Sequence, residues 1–264
     1  MGRRIARLRG IAVVAAMAVL LVPVSASAVF GGQKDGSGHP NVGFVAALSA
    51  QGALLDACTG TLVAPKVVLT SAHCIGGKKL GLVDHYVVTF KPVAMRNGVV
   101  DGAIGGRPYP NPRFNLLFDE SKTGTAAFYR NSQYDIGVLV LDRKAKDAYP
   151  GIEPAKLPWS GALDKYRAAT TKPTFTHVGY GVTRSGVFDG IRRTRTSPMV
   201  KLTDSLLFTK GGICSGDSGG PIFDPRGFVA AVASFVDGTC DDAAAGPRLD
   251  IDLTRSFLRQ YGVG

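Results

Sequence analysis

The sequence is poor in the residues from which several kinds of functional site are built. Of its 264 residues, only 4 are cysteines and 4 are histidines. It contains no His-Glu-x-x-His motif and no set of four cysteines with zinc-ligand spacing, so we predict no metal and no cofactor. No basic run interleaved with aromatic residues is present, which argues against a nucleic-acid-binding protein.

Acidic residues are also scarce, since 31 Lys and Arg face 20 Asp and Glu and give a net charge of +11. A positive surface suits acidic substrates or anionic cell walls, but an ordinary basic surface explains the same charge. The chain is 45% hydrophobic, with 34 Gly and 15 Pro. This composition can build a substantial core and fits two packed β-barrels counted as one unit.

The first 28 residues have the three-part form of a secretory signal peptide. Residues 1–10 are rich in arginine, residues 11–24 are nearly all apolar, and residues 25–28 are small. The apolar stretch is shorter than the ~20 residues of a membrane span, so an uncleaved membrane anchor is the weaker alternative. Cleavage after Ala28 would remove four arginines, lower the net charge to +7, and leave residues 29–264 as a secreted chain without a membrane attachment.

Ser218 lies in a loop that contains several glycines, residues 211–221. Glycines are unfavourable in the interior of a helix or strand and suit a tight loop whose amides approach a ligand closely. A serine hydroxyl is a weak nucleophile unless a neighbouring base accepts its proton. A catalytic role for Ser218 therefore requires a histidine base and a buried acid elsewhere in the chain.

Three motifs together resemble the chymotrypsin/trypsin-like serine peptidases. Residues 216–221, Gly-Asp-Ser-Gly-Gly-Pro, resemble the nucleophile loop of that family. Residues 70–74, Thr-Ser-Ala-His-Cys, resemble its histidine motif, and residues 135–141, Asp-Ile-Gly-Val-Leu-Val-Leu, resemble its aspartate strand. The order is His, Asp, Ser, which differs from subtilisin-like enzymes and from α/β-hydrolases.

The resemblance implies an all-β fold of two antiparallel six-stranded Greek-key β-barrels with a C-terminal helix. The first barrel would span about residues 29–145, and the second barrel with the helix about 160–264. The residues themselves agree, because short β-like runs alternate with Gly, Pro and Asn. Gly227–Phe235 is one such run, Ile251–Tyr261 has helical spacing, and residues 91–134 are interpreted as loops whose strands we do not place.

The family resemblance also implies roles for individual residues. Ser218 would be the nucleophile, His73 its base and Asp135 the acid that orients His73, while the amides of Gly216 and Ser218 would form the oxyanion hole. Signal cleavage would expose Val29, whose α-ammonium would pair with Asp217. Secretion predicts disulfides, and of the three pairings that four cysteines allow, the resemblance selects Cys58–Cys74 and Cys214–Cys240.

A specificity pocket is implied in the second half of the chain. Its predicted residues are Gly212, Ile213, Ser234, Phe235, Val236 and Gly246, and Ser234 would also support Asp135. An uncharged, narrowed pocket should accept small or medium apolar side chains and disfavour Arg and Lys. If Asp237, Asp241 or Asp242 reaches inward, a basic preference returns.

The sequence thus predicts a secreted, monomeric serine endopeptidase that acts on polypeptides and that protein inhibitors could bind. Two alternatives remain open. One is a catalytically silent binding protein on the same scaffold, and the other is an esterase, because acyl transfer to water is the same chemistry.

Overall fold

The computed structural model describes residues 29–76, 81–115 and 124–264. The predicted signal peptide, residues 1–28, lies outside these ranges. Within them, no helix combines the length and apolarity that crossing a membrane requires.

The first half of the described chain is built mainly of antiparallel strands. These are β1 (Gln33–Lys34), β2 (Val42–Leu48), β3 (Leu54–Ala64), β4 (Val67–Thr70), β5 (His85–Thr89), β6 (Met95–Arg96), β7 (Val99–Val100), β8 (Ile104–Pro110) and β9 (Gly137–Leu141). Two short helices accompany them, α1 (Ala72–Gly76) and α2 (Ala126–Ser132). Strands β2, β3, β4, β9, β8 and β5 close in that order into a six-stranded barrel, as the sequence predicts.

The sequence predicts loops over residues 91–134, whereas the structure has strands β6, β7 and β8 in that segment. Strand β8 carries glycine at 105 and 106 and proline at 108 and 110, which have low β propensity. It is nevertheless a strand, because it pairs with β5 on one side and β9 on the other and so closes the barrel.

The second half is a large antiparallel sheet followed by a helix. Its elements are α3 (Ala145–Ala148) in the connection, then β10 (Thr174–Gly179), β11 (Arg193–Leu202), β12 (Leu206–Lys210), β13 (Pro221–Phe223), β14 (Val229–Val232), β15 (Phe235–Asp237), β16 (Ala243–Pro247) and α4 (Asp252–Arg259). The strand order is β14-β13-β10-β11-β12-β16-β15, and β1 adds to β11. The described strands thus form a half-barrel.

The predicted run Gly227–Phe235 is interrupted where the chain changes partner. The Ala233 amide donates to the Gly220 carbonyl at 2.8 Å, whereas the next amide, that of Ser234, donates to the Ala245 carbonyl at 3.0 Å. The run therefore becomes two strands, β14 and β15.

Both halves contribute to one hydrophobic cluster. It joins Phe44 of β2 to Val178 of β10 and to Phe257 and Leu258 of α4. The predicted C-terminal helix is confirmed, and the Tyr261 ring that follows it lies 5.4 Å from the Tyr109 ring of β8. The second half of the chain thereby packs against the first barrel.

A buried arginine also fastens the two halves together. Arg192 is only 1% exposed, and its Nε donates to the Asp35 carboxylate at 2.8 Å. Its Nη1 donates to the carbonyls of Val42 and Phe90, at 2.9 and 3.1 Å, both in the first barrel. The guanidinium is thus compensated by a carboxylate and by carbonyls from segments far apart in the sequence.

We expect Arg192→Met to lower the free energy of unfolding by about 3 kcal/mol, because the buried Asp35 carboxylate would lose its arginine and be left with the His39 ring at 2.6 Å and the His39 amide at 2.9 Å. Arg167→Met is the matched control, since Arg167 is 37% exposed and pairs with surface carboxylates. The control should change the free energy by less than about 1 kcal/mol. Chemical denaturation of both variants checks this, and equal small losses would contradict the role given to Arg192.

Candidate active site

His73 and Asp135 meet through two hydrogen bonds. His73 lies in helix α1, directly after β4, and Asp135 lies two residues before β9, which pairs with β4. The Nδ1 atom of His73 is 2.7 Å from Oδ2 of Asp135, and the His73 amide donates to Oδ1 at 3.0 Å. Asp135 is 2% exposed. Because Nδ1 faces the carboxylate, Nε2 lies on the side of the ring away from it.

Ser234 supports the same carboxylate from the other half of the chain. Its hydroxyl donates to Oδ2 of Asp135 at 2.5 Å. The carboxylate of Asp135 therefore accepts bonds from the His73 ring, the His73 amide and the Ser234 hydroxyl. Each bond restricts its position, so the orientation of the imidazole is fixed by both halves of the molecule.

The glycine-rich loop is held against the first barrel at Ser218. The Thr59 amide donates to the Ser218 carbonyl at 2.8 Å, and this carbonyl lies 3.6 Å from Sγ of Cys74. The next residue, Gly219, has φ +82°, and a Cβ there would lie 2.0 Å from Oγ1 of Thr70. Only glycine fits so close an approach. The loop thus brings Ser218 beside the residue that follows His73.

The two amides predicted to form an oxyanion hole have a distinct environment. Gly216 has φ +92°, and its carbonyl accepts a bond from the Thr59 hydroxyl at 2.9 Å. Within residues 29–76, 81–115 and 124–264, neither the Gly216 amide nor the Ser218 amide donates to a protein acceptor. Both N–H groups are therefore without an acceptor in the part of the chain that the structure describes.

Asp217 is buried beneath this loop. It is 1% exposed, and its two oxygens accept bonds from the Gly181 amide at 2.8 Å and the Cys214 amide at 3.0 Å. Burial raises the pKa of Asp217 to about 7, against the bonds from Gly181 and Cys214, which lower it. Val29 is fully buried, but in the uncleaved chain its nitrogen is a peptide amide, so the ion pair between Val29 and Asp217 stays a prediction.

Both disulfides join the cysteines that the family resemblance pairs. Cys58 of β3 bonds to Cys74 of α1, next to His73, with 6.2 Å between their Cα atoms. Cys214, four residues before Ser218, bonds to Cys240. One disulfide therefore holds the histidine turn to its barrel, and the other holds the start of the Ser218 loop.

The predicted pocket residues lie in two different environments. Ile213, which is 4% exposed, and Val236 belong to one apolar cluster. Gly246 packs on backbone, because a Cβ there would lie 1.6 Å from the Val232 carbonyl oxygen. Phe235 instead packs its ring edge-on against Phe128 of α2, with 4.8 Å between the centroids.

Two of the three acids that could have made the pocket basic-specific have other partners. Asp241 pairs with Arg184 at 2.6 Å, and Asp242 accepts bonds from the amide and the hydroxyl of Thr239 at 2.7 and 2.8 Å. The side chain of Asp237 lies outside the described part of the chain. Asp241 and Asp242 therefore do not supply a counter-charge for the Arg or Lys side chain of a substrate.

Sequence reasoning missed three contributors to this region. Helix α2 carries Phe128 against Phe235, and Thr125 caps it by accepting the Phe128 amide at 3.2 Å, a signal that the sequence did contain. Thr59 bonds to both Ser218 and Gly216, and nothing in the sequence marks it. Nothing in the sequence around His177 marks it either, yet its ring lies directly against Gly212.

The buried carboxyl of Asp217 predicts a pH-dependent stability while Val29 is still joined to the preceding residue. Asp217 binds its proton more tightly when folded (pKa about 7) than at its ordinary pKa of 3.8. The contribution of this group is therefore full below pH ~4 and is lost as the pH rises through 7, by roughly 3–4 kcal/mol. Urea denaturation of this uncleaved chain and of its Asp217→Asn variant checks it. The difference in free energy between them should change over that pH window, and parallel profiles would contradict the prediction.

Comparisons with known proteins agree with the fold. The structure superimposes on HL collagenase with a TM-score of 0.67 at 17% identity, covering 89% of this chain and 99% of that one. It superimposes on human heparin binding protein with a TM-score of 0.61 at 21% identity, covering 88% and 95%. Identities this low show the fold alone.

A curated relative is glucanase inhibitor protein 4 of Phytophthora infestans, 25% identical over 190 residues. The match covers 64% of this chain and 63% of the length of that relative. The family model described as Trypsin matches residues 31–255, which is most of the sequence and includes His73, Asp135 and Ser218. The chain belongs to the trypsin family.

Proposed function

We propose that this chain is a secreted serine endopeptidase whose catalytic residues are Ser218, His73 and Asp135. The observation that carries the proposal is the hydrogen-bonded series from Ser234 through Asp135 to Nδ1 of His73, with the Ser218 loop fastened beside it. This arrangement orients Nε2 of His73 as a proton acceptor, which is what a serine nucleophile requires.

In the proposed reaction, Oγ of Ser218 attacks the scissile carbonyl carbon while Nε2 of His73 takes the hydroxyl proton. The imidazolium is stabilised by Asp135 and then protonates the leaving amine, so that the peptide bond breaks and an acyl-enzyme remains. Water, deprotonated by His73, hydrolyses the ester and regenerates Ser218.

The amides of Gly216 and Ser218 would stabilise the negative charge that develops on the carbonyl oxygen. Their support is structural, since neither donates to another described group. Losing one such donor costs on the order of 10²–10³ in rate in related chemistry.

We further propose that signal cleavage also activates the enzyme. Cleavage after Ala28 would turn the buried Val29 nitrogen into an ammonium, the counter-charge that the Asp217 carboxylate lacks among the bonds described above. Because a buried carboxylate without a cation is unfavourable, the pair would favour the ordered Ser218 loop.

The competing function is a silent binding protein on the same scaffold. Two similar proteins carry names of that kind, a glucanase inhibitor and a heparin binding protein. We favour the enzyme, because this chain keeps His73, Asp135 and Ser218 and bonds the first two at 2.7 Å. An esterase would use the same residues and is separated from a peptidase by comparing ester and peptide substrates.

The first prediction from this function concerns labelling by a fluorophosphonate, which reacts with activated serines. The chain starting at Val29 should be labelled, and Ser218→Ala should not be. Asp135→Asn should slow labelling and peptide cleavage by up to about 10⁴-fold, because the histidine then adopts the wrong tautomer.

Asp142→Asn is the matched control, since Asp142 follows the other end of β9 and is exposed. It should leave the rate unchanged. A folded chain starting at Val29 that is not labelled would reject the enzyme and favour the silent binding protein.

The second prediction concerns the N-terminus. Sequencing of the secreted protein should begin at Val29, and a chain with one extra residue before Val29 should be labelled at least about tenfold more slowly, because the new ammonium cannot reach Asp217. Equal labelling of the two chains, or a different start, would disprove activation by signal cleavage.

A further inference from the structure

In the part of the chain that the structure describes, two buried polar atoms lack a hydrogen-bond partner. Within the described ranges, Nδ1 of His177 and Oγ of Ser197 are the buried side-chain nitrogen or oxygen atoms without a hydrogen bond. Both residues are only 1% exposed. An unsatisfied buried polar group destabilises the folded protein, so a pair of them requires an explanation such as a ligand or a water molecule.

Both atoms lie beneath the predicted floor of the specificity pocket. His177 of β10 and Ser197 of β11 are on neighbouring strands, and the register places Ser197 opposite Phe175, two residues from His177, so both face the same side of the sheet. A Cβ on Gly212 would lie 2.8 Å from Cδ2 of His177 and 3.0 Å from Oγ of Ser197. A larger residue at 212 would separate these groups from the pocket, whereas glycine leaves them adjacent to it.

The residues predicted to form the walls above this floor are apolar. Ile213 follows Gly212, and Val236 belongs to the same cluster as Ile213. A side chain bound between these walls would meet hydrocarbon along its length and polar groups at its end. Such a pocket would fit an unbranched side chain with a polar end group.

The polar base is uncharged. Burial, together with a smaller contribution from the charge of Arg195, lowers the pKa of His177 to about 3, so the imidazole is neutral. Its Nε2 lies 3.0 Å from the Thr209 hydroxyl, which leaves Nδ1 for another partner. A neutral imidazole and a hydroxyl can each complement a carboxamide, which donates and accepts, whereas a carboxylate or an ammonium would be buried without a counter-charge.

We propose that His177 and Ser197 form the polar base of the specificity pocket and that the enzyme cleaves after glutamine. The methylenes of glutamine would lie between Ile213 and Val236, and its amide would bond to Nδ1 of His177 and Oγ of Ser197. This inference rests on the proposed endopeptidase function and replaces the purely apolar preference that the sequence predicts with a medium side chain that ends in an amide.

Peptides that differ only in the residue before the scissile bond test it. Methionine is the matched residue for glutamine, because it has nearly the same length and no amide. For the chain starting at Val29, kcat/KM should be at least about tenfold higher for the glutamine peptide. Ser197→Ala should lower kcat/KM for glutamine roughly tenfold and leave the value for methionine unchanged, while Ser197→Thr, which keeps the hydroxyl, should restore part of the preference.

Ser160→Ala, at an exposed turn, is the matched control and should change neither value. The melting temperature of Ser197→Ala should not fall, because the variant removes an unpartnered hydroxyl, so a loss of glutamine cleavage is not unfolding.

Three results would overturn the inference. They are equal rates for glutamine and methionine, a preference for glutamate over glutamine, and a glutamine preference that Ser197→Ala leaves intact, which would mean that a structural water alone meets these atoms. Each of these cleavage rates is measured on a chain that a fluorophosphonate labels. A chain that is folded but not labelled would instead reject the endopeptidase itself.

Discussion

The candidate site depends on the contact between Thr59 in the first barrel and the Ser218 loop of the second half. The Thr59 amide bonds to the Ser218 carbonyl, and its hydroxyl bonds to the Gly216 carbonyl and accepts the Tyr180 amide at 3.1 Å. A single residue of β3 thus bonds to Gly216 and Ser218, the residues before and after Asp217, and to Tyr180. His73 belongs to the first barrel and Ser218 to the second half, so the rigidity of their relative position depends on this contact between Thr59 and the Ser218 loop. Arg192 and the shared apolar cluster supply that rigidity away from the loop.

A buried carboxyl lies beneath this contact. Asp217 accepts hydrogen bonds from the Gly181 and Cys214 amides, and burial raises its pKa to about 7 against the lowering effect of these bonds. Arg192, by contrast, is buried together with the carboxylate of Asp35. The charge of Arg192 is therefore compensated in the uncleaved chain, whereas the bonds given above for Asp217 include no cationic side chain. Arg192 holds the two halves together, and Asp217 lies under the loop that a new N-terminus would order.

Sequence alone predicted the parts of this protein that are encoded locally. The motifs around His73, Asp135 and Ser218 are continuous stretches of sequence, the apolar run Gly227–Phe235 predicted the region of β14 and β15, and helical spacing predicted α4. Strand β8 escaped prediction because its glycines and prolines carry no β signal and its pairing comes from closing the barrel. Thr59 escaped because its two bonds to the loop are made across about 160 residues, and Phe128 escaped because its partner Phe235 lies in the other half.

The sequence predicts the chemistry of the proposed pocket only in part, for the same reason. The sequence at Gly212, Ile213 and Val236 predicts an apolar, narrowed pocket, because a glycine shows only that no side chain is present at its position. What fills that absence comes from strands β10 and β11, where Nδ1 of the neutral His177 imidazole and the Ser197 hydroxyl have no hydrogen-bond partner among the described residues. Such groups destabilise the free protein, but a substrate that satisfies them relieves this cost, and one that cannot satisfy them leaves it in place. A base of this kind discriminates against apolar side chains more strongly than the shape of the walls can, because one methylene more or less in an apolar pocket changes affinity only modestly.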